Sequence, residues 1–332
     1  LNALVLGGTT FLGRHVARAL LVRGHAVSTF TRGRAPGEPD ARIARFIGDR
    51  EGDFRALPRD GWDAVIDTSA LRPSWVAASA AHLHRAKRYL FTSSVSVYDA
   101  RAPETGEGRC SYQPMPAGAA EGDDAAYGPF KLRCEDVARA VYGPERTLII
   151  RPGLIVGAHD PTNRFTYWVD RGADGGAILA PGSPGDFVQF VDARDLADFM
   201  VRVLEDERHG IYDVTGAPQT TTRADLVAAC VANAAQTPEI VWADDAWLEA
   251  QGLSGWMDLP LWLGPSLGLP GFMNARIDRA RADGLTLRPL AETVAATRAW
   301  SANAAREVEG PAGITRARER ELLEALRLES RA

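Results

Sequence analysis

The chain has 332 residues, 45% of them hydrophobic and 24% charged, with a formal net charge of -5 and a pI near 5.8. That is ordinary for a soluble globular protein with room for a sizeable core, in one large domain or two smaller ones. The acidic balance gives no reason to expect a nucleic-acid partner. No apolar run approaches the ~18 residues of a membrane span, and no signal peptide is visible.

Cys110, Cys134 and Cys230 are scattered without CxxC spacing, so neither a disulfide framework nor a zinc site is expected. No metal is expected, and a reducing cytoplasm fits best. The sequence starts at Leu1, so an initiator Met is expected to be missing from it.

Residues 3–6 form an apolar run bounded by Gly7, which predicts a buried parallel strand. Leu12, Val16, Ala19 and Leu20 then recur at helical spacing, and Gly24 closes that helix. Residues 25–31 predict a second strand. The turn between the first strand and the helix reads Gly7-Gly8-Thr9-Thr10-Phe11-Leu12-Gly13. Gly7 permits a tight turn, Gly8 a close backbone approach, and Gly13 close packing of helix on strand. The helix N-terminus offers free N–H groups and a positive dipole end to a pyrophosphate. Gly7, Thr9, Thr10, Phe11, Leu12 and Gly13 are therefore the candidate contacts to a dinucleotide. The competing reading is a glycine-rich turn that holds no ligand.

NAD sites usually place a carboxylate about 20 residues after the glycines, on the ribose 2′-hydroxyl. Here the second strand ends Phe30-Thr31-Arg32-Gly33-Arg34, with two arginines and no acid. A guanidinium suits a 2′-phosphate, so NADP is the preferred cofactor and NAD the alternative. Against this stands the reading of Arg32 and Arg34 as solvated loop charges. "FIGDR" (46–50) predicts a third strand that ends in Asp49, which could equally be a turn residue.

The alternation continues. "WDAVID" (62–67) predicts a strand, 74–86 a helix, and "RYLFTSSVSVYD" (88–99) a strand ending in hydroxyls. A polar loop over 100–124 leads to a helix over 126–143, and "TLIIRPGLIVG" (147–157) is another strand. Repeated βα units of this length predict an α/β fold, a Rossmann-type doubly wound parallel sheet, with ligands beyond the carboxyl ends of the strands. Tyr127 and Lys131 are four apart and share a helix face. A lysine cation one turn away favours the phenolate, and a nearby serine hydroxyl can hold a substrate oxygen. The set suits the proton transfer that accompanies hydride transfer between alcohol and ketone. YxxxK alone is common on amphipathic helices; its order after the glycine turn and the serine-rich strand end gives it weight.

With these motifs the chain resembles the extended short-chain dehydrogenase/reductases, the NAD-dependent epimerase/dehydratase family. It is most similar to the branch that starts "GGTxFLGRH", which also contains chloroplast stem-loop-binding-like proteins. "RPGLIVGAHDPTNRFTYWVDR", "VQFVDARDLADFM" and "ADGLTLRPLAETVAATRAW" resemble later family segments, so the likeness covers most of the chain. The resemblance implies Tyr127 as acid/base and Lys131 as its partner and a ribose-hydroxyl ligand. It implies Ser94 as donor to the substrate oxygen, with Ser93 and Ser96 as near alternatives, and Asp49 as acceptor from the adenine amino group. Thr10 stands where the family usually has Gly, and Thr31 where it usually has Asp.

Other residues carry less. Tyr98 reads as a core tyrosine before a pocket group. His159 and Asp160 suit a pocket or a loop turn equally. The aromatic, Pro- and Gly-rich stretch 246–272 reads as a small-domain core or a substrate lid. "ARERELLEALRLES" predicts a helix packed on the body.

Residues 1–157, with a return segment at 187–215, are expected to form the cofactor domain. Residues 158–186 and 216–332 are expected to form the substrate domain. Three functions compete. The first is an NADP(H)-linked oxidoreductase acting on a small metabolite. The second is a nucleotide-sugar epimerase or dehydratase using bound NAD transiently. The third is a non-catalytic RNA-binding or scaffold relative. The family's sugar-nucleotide enzymes often carry an Arg where this chain has Val188 and Gln189, which counts against the second unless Arg164 or Arg171 supplies the charge. A small-molecule substrate is expected as partner, with no nucleic acid and no membrane; a homodimer stays open.

Overall fold

In the first strand, β1 (Asn2–Leu6), Ala3 and Val5 enter one core while Leu4 and Leu6 enter another. A strand buried on both faces reads as a continuous apolar run, which is why β1 shows no polar alternation. The computed structural model describes residues 1–34, 40–232, 234, 236–303 and 312–329. After β1 come α1 (Phe11–Val22), β2 (Ala26–Thr31), β3 (Ala44–Ile47), β4 (Ala64–Asp67), α2 (Pro73–Leu83) and β5 (Arg88–Thr92). Next are α3 (Tyr127–Tyr142), β6 (Thr147–Pro152), β7 (Leu154–Val156), α4 (Thr166–Asp174), β8 (Ala177–Pro181) and β9 (Phe190–Asp192). Then follow α5 (Ala193–Glu205), β10 (Gly210–Val214), α6 (Arg223–Val231), β11 (Glu239–Ala243) and α7 (Asp245–Ala250). The last helices are α8 (Asp278–Ala282), α9 (Leu290–Ser301) and α10 (Arg316–Glu329).

Seven strands form one parallel sheet in the order β10-β6-β5-β4-β1-β2-β3. Val16 and Leu20 of α1 and Phe199 and Met200 of α5 cover one face. Val76 and Leu83 of α2 and Cys134 and Ala138 of α3 cover the other. This is the doubly wound α/β fold. Each large apolar side chain buried this way contributes about 1.5–3 kcal/mol relative to exposure. The strand order reverses between β1 and β4, so a crevice opens beyond their carboxyl ends. The glycine turn follows β1, and Thr68 and Ser69 follow β4.

Several sequence expectations change in detail. The strand expected over 46–50 runs Ala44–Ile47, so Asp49 lies beyond it, and the helix expected over 74–86 ends at Leu83. The strand over 88–99 stops at Thr92. Ser94 is extended, and its hydroxyl accepts from the Ser96 N–H, capping a short 3-10 turn at Val95–Val97. The strand over 147–157 breaks at Gly153. Its first part, β6, stays in the sheet, while β7 leaves to pair with β9.

A third core lies beyond the sheet, where β8 pairs with β11. Trp168, Leu179, Leu226, Leu248, Trp262 and Leu322 meet there. Among the described residues no helix is long and apolar enough to cross a membrane.

Candidate active site

The turn after β1 is built by close approach. Gly7 has φ +90°, and a Cβ at Gly13 would lie 2.3 Å from the Gly7 carbonyl oxygen. No side chain could stand at Gly13 while α1 keeps this distance from β1. Thr10 precedes α1 with its side chain making no cap bond, and the first turn carries no acid. The first N–H groups of α1 are thus left for another acceptor. Thr9 has a different place: its N–H donates to the Gly7 carbonyl at 3.0 Å and holds the turn.

Gly7, Thr10, Phe11, Leu12 and Gly13 line one wall of a cleft of about 710 Å³. Ser94, Ser96, Tyr127 and Lys131 line it as well. Tyr127 opens α3 and is 38% exposed. α3 reaches this position because its second residue is Gly128, where a Cβ would meet the Ser96 carbonyl oxygen at 1.8 Å. Lys131 is buried one turn later. Its Nζ donates to the carbonyls of Thr92 at 2.6 Å and Ala70 at 2.9 Å, and lies 4.7 Å from the Phe91 ring centre. No hydrogen bond joins it to Tyr127, whose ring centre is 6.0 Å away.

The three serines separate by their partners. The Ser93 hydroxyl donates to Glu135 at 2.6 Å, and Glu135 is ion-paired with Arg151 in the interior. The Ser94 and Ser96 hydroxyls, 3.0 Å apart, bond to each other at the cleft wall. Ser94 and Ser96 therefore remain able to meet a substrate oxygen.

The other sequence candidates fall at three places. Arg32 follows β2, is exposed, and makes no hydrogen bond to a described residue; Arg34 is exposed too. Asp49 follows β3, and its carboxylate accepts from the Glu51 N–H at 3.0 Å within its own turn. Arg32 stands beyond the carboxyl end of β2, which neighbours β1, and Asp49 beyond β3, one strand further out; both lie outside the walls of the 710 Å³ cleft.

Tyr98 is buried and donates to Asp213 at 2.8 Å. His159 has φ 71° and packs between His15 and Trp300; burial, with Arg14 and His15 nearby, takes its pKa down to about 4. Asp160 is buried and accepts from the Thr162 N–H and hydroxyl; burial raises its carboxyl above the usual range. Neither His159 nor Asp160 lines the cleft. The stretch 246–272 divides between a core and the cleft wall. Trp262 is in the third core, while Trp256 and Phe272 line the cleft.

Besides the Glu135–Arg151 pair, sequence reasoning missed a buried ion pair at the end of β4. Asp67 ends β4 with no exposure and takes a two-point contact from Arg50, at 2.9 and 2.5 Å. Burial would raise its pKa, but the Arg50 charge and the bonds from Arg50, Tyr89 and Ser69 outweigh that and hold it below the usual range. The available signal was an Asp closing an apolar strand, which needs a cation when buried.

Comparison with known proteins identifies the family through its model. The model of the NAD dependent epimerase/dehydratase family matches residues 3–215. The chain is 28% identical over 256 residues to the chloroplast stem-loop binding protein of 41 kDa b of Arabidopsis thaliana, covering 72% of this chain and 65% of that protein. It thus spans just under two thirds of that relative's length. It is 27% identical over 170 residues to the mitochondrial protein fmp52 of Aspergillus clavatus, covering 48% of this chain and 68% of that one.

Among solved structures, a UDP-glucose 4-epimerase superposes with TM-score 0.68 at 15% identity, over 92% of this chain and 99% of that one. The UDP-glucuronic acid 4-epimerase of Bacillus cereus, in complex with UDP-glucuronic acid and NAD, gives 0.65 at 16% identity, over 90% and 98%. At such identities these likenesses speak for the fold. The family match runs from the glycine turn through the Ser-Tyr-Lys wall to the last strand of the sheet, and on that ground the chain belongs to the NAD dependent epimerase/dehydratase family.

Proposed function

We propose that the protein is an NAD(P)-dependent oxidoreductase that moves hydride at a carbonyl or carbinol of a small metabolite. The observation carrying this reading is that Tyr127, Ser94 and the uncapped start of α1 line one cleft. The cofactor supplies or accepts the hydride when bound. Gly7, Thr10, Phe11, Leu12 and Gly13 would hold its pyrophosphate, and the residues present fit that group: an uncapped helix start without an acid, approached through glycines. Lys131 would meet its ribose. Tyr127 exchanges a proton with the substrate oxygen, and Ser94, with Ser96 beside it, orients that oxygen. Under this reading residues 1–157 with 187–215 bind the cofactor. Residues 158–186 with 216–332 shape the substrate side.

NADP is the preferred cofactor on account of Arg32 beside the neutral Thr31. The alternative is an epimerase or dehydratase that keeps NAD bound between turnovers. It is disfavoured by Gln189, whose amide is engaged with Gly216 and Ala275 rather than with the cleft. Arg171 does not supply the missing charge, because it is buried against Glu319 at 2.7 Å; Arg164, which lines the cleft, is the remaining candidate for it. Mass spectrometry of the purified protein, with exchange against added cofactor, decides. Exchangeable NADP supports the reductase, tightly retained NAD supports the epimerase, and no dinucleotide affinity sinks both.

A further inference from the structure

We infer that Arg164 anchors an anionic group of the substrate, a carboxylate or phosphoryl group carried on a small apolar body. The inference rests on the reading of the cleft as the cofactor and substrate site. Arg164 lies between β7 and α4 and lines the same cleft as Tyr127. Two contacts fix its side chain. Nε donates to the Thr162 hydroxyl at 3.1 Å, and the guanidinium lies over the Trp256 ring, 4.7 Å from its centre. Its two Nη atoms form no hydrogen bond or ion pair with any described residue. Stacked on one face and tied at Nε, a guanidinium keeps its Nη edge for a two-point acceptor.

The charges around it leave that role to Arg164. Lys131 directs two of its three N–H donors to carbonyls, and the third is assigned to the cofactor ribose in the proposed function. Asp160 is close enough to favour the cation, yet its Oδ1 is held by Thr162 and it makes no ion pair with Arg164. Asp124 is the carboxylate on the cleft wall. Burial disfavours the Arg164 charge and lowers its pKa, against the pull of Asp160 and Tyr127, so a bound anion would relieve a desolvated cation. The apolar body follows from the neighbours: Phe272 meets Trp256 edge-on at 5.3 Å, and both line the cleft with Leu154.

The test is calorimetric titration of the unaltered protein, Arg164→Ala and Arg164→Lys with phenyl phosphate, benzoate, UDP and the neutral benzyl alcohol. Each is run with and without saturating NADP or NAD. The expected result is that phenyl phosphate or benzoate binds and weakens about tenfold or more in Arg164→Ala. Arg164→Lys should keep part of the affinity, and benzyl alcohol should not distinguish the proteins. Tighter binding of UDP with the same dependence on Arg164 keeps the anchor but overturns the apolar body, and it moves the substrate to a nucleoside diphosphate, the class of the alternative reading. Failure of both simple anions and UDP to bind the unaltered protein overturns the proposal, as does equal binding by Arg164→Ala. Unchanged dinucleotide titration in the variants shows that the cleft is intact. Absence of any dinucleotide binding, with Arg164-dependent anion binding, removes the oxidoreductase reading and leaves the anchor standing.

Discussion

The Lys131 ammonium is tied to the Thr92 carbonyl, 2.6 Å away, and not to the neighbouring phenol of Tyr127. A side chain of α3 thereby bolts down the end of β5, and a second bond to Ala70 extends the hold to the loop after β4. The lysine is a structural peg as well as a charge beside the proposed acid/base.

The two residues should therefore fail differently. Tyr127→Phe should abolish turnover while leaving cofactor affinity and melting temperature near those of the unaltered protein. Lys131→Met should harm turnover, cofactor binding and stability together. It strips a charged donor from two buried carbonyls, at about 1–3 kcal/mol each. NADPH oxidation with a panel of small ketones and aldehydes, cofactor titration and thermal melts read all three. Unaltered turnover in Tyr127→Phe would remove that tyrosine from the mechanism.

Gly13→Ala should destabilise the protein by about 1–3 kcal/mol and weaken dinucleotide binding. The added Cβ would meet backbone, the Gly7 carbonyl oxygen at 2.3 Å and Gly8 Cα at 2.9 Å, with no flexible side chain to yield. Thermal melts and cofactor titration check this. A variant as stable as its parent and still binding would show that β1 and α1 separate freely.

Cofactor choice should turn on the end of β2. Arg32→Ala should weaken NADP binding about tenfold and leave NAD almost unchanged, the exposed site placing the effect at the low end for a charge-assisted bond. Thr31→Asp should go further and favour NAD by repelling the 2′-phosphate. Isothermal titration of both cofactors decides. Equal loss for NAD and NADP in Arg32→Ala would make the arginine a solvated charge.

Stability should carry the signature of Asp213. Burial raises its carboxyl to about 6, against the opposing pull of the Tyr98 hydroxyl, the Glu107 N–H and Arg151. The folded state thus holds the proton more tightly than the unfolded chain, where an Asp titrates near ~3.9. Its contribution is fully present below that value and is lost as pH rises through about 6. Melting temperature of the parent minus that of Asp213→Asn should fall between about pH 4 and pH 6.5, by the equivalent of on the order of 2 kcal/mol. A difference that stays level across the window would contradict the assignment.

Much of this was legible from local pattern. The glycine turn, the apolar β1 and the Tyr127–Lys131 spacing are short-range signals, although the turn and the spacing each also admit a reading without a ligand. The misses are long-range. Nothing near Ser93 says that Glu135, 42 positions on, will take its hydroxyl and leave those of Ser94 and Ser96 to meet a ligand. Arg50 and Asp67 find each other across two strands. The break at Gly153 depends on β9, which lies far along the chain. The stretch 246–272 resisted a single reading because its aromatics divide between a core and a cleft.

Gln189 behaves as a length of backbone made from a side chain. Its amide nitrogen donates to the carbonyls of Gly216 and Ala275, and its oxygen accepts from the Ala275 N–H, all at 2.8 Å. Three distant parts of the chain are sewn together by one amide. An arginine at this position could not replace the stitch, because it offers no acceptor to Ala275. At this place in the fold, a suture and a cation for the ligand exclude one another, and this chain carries the suture.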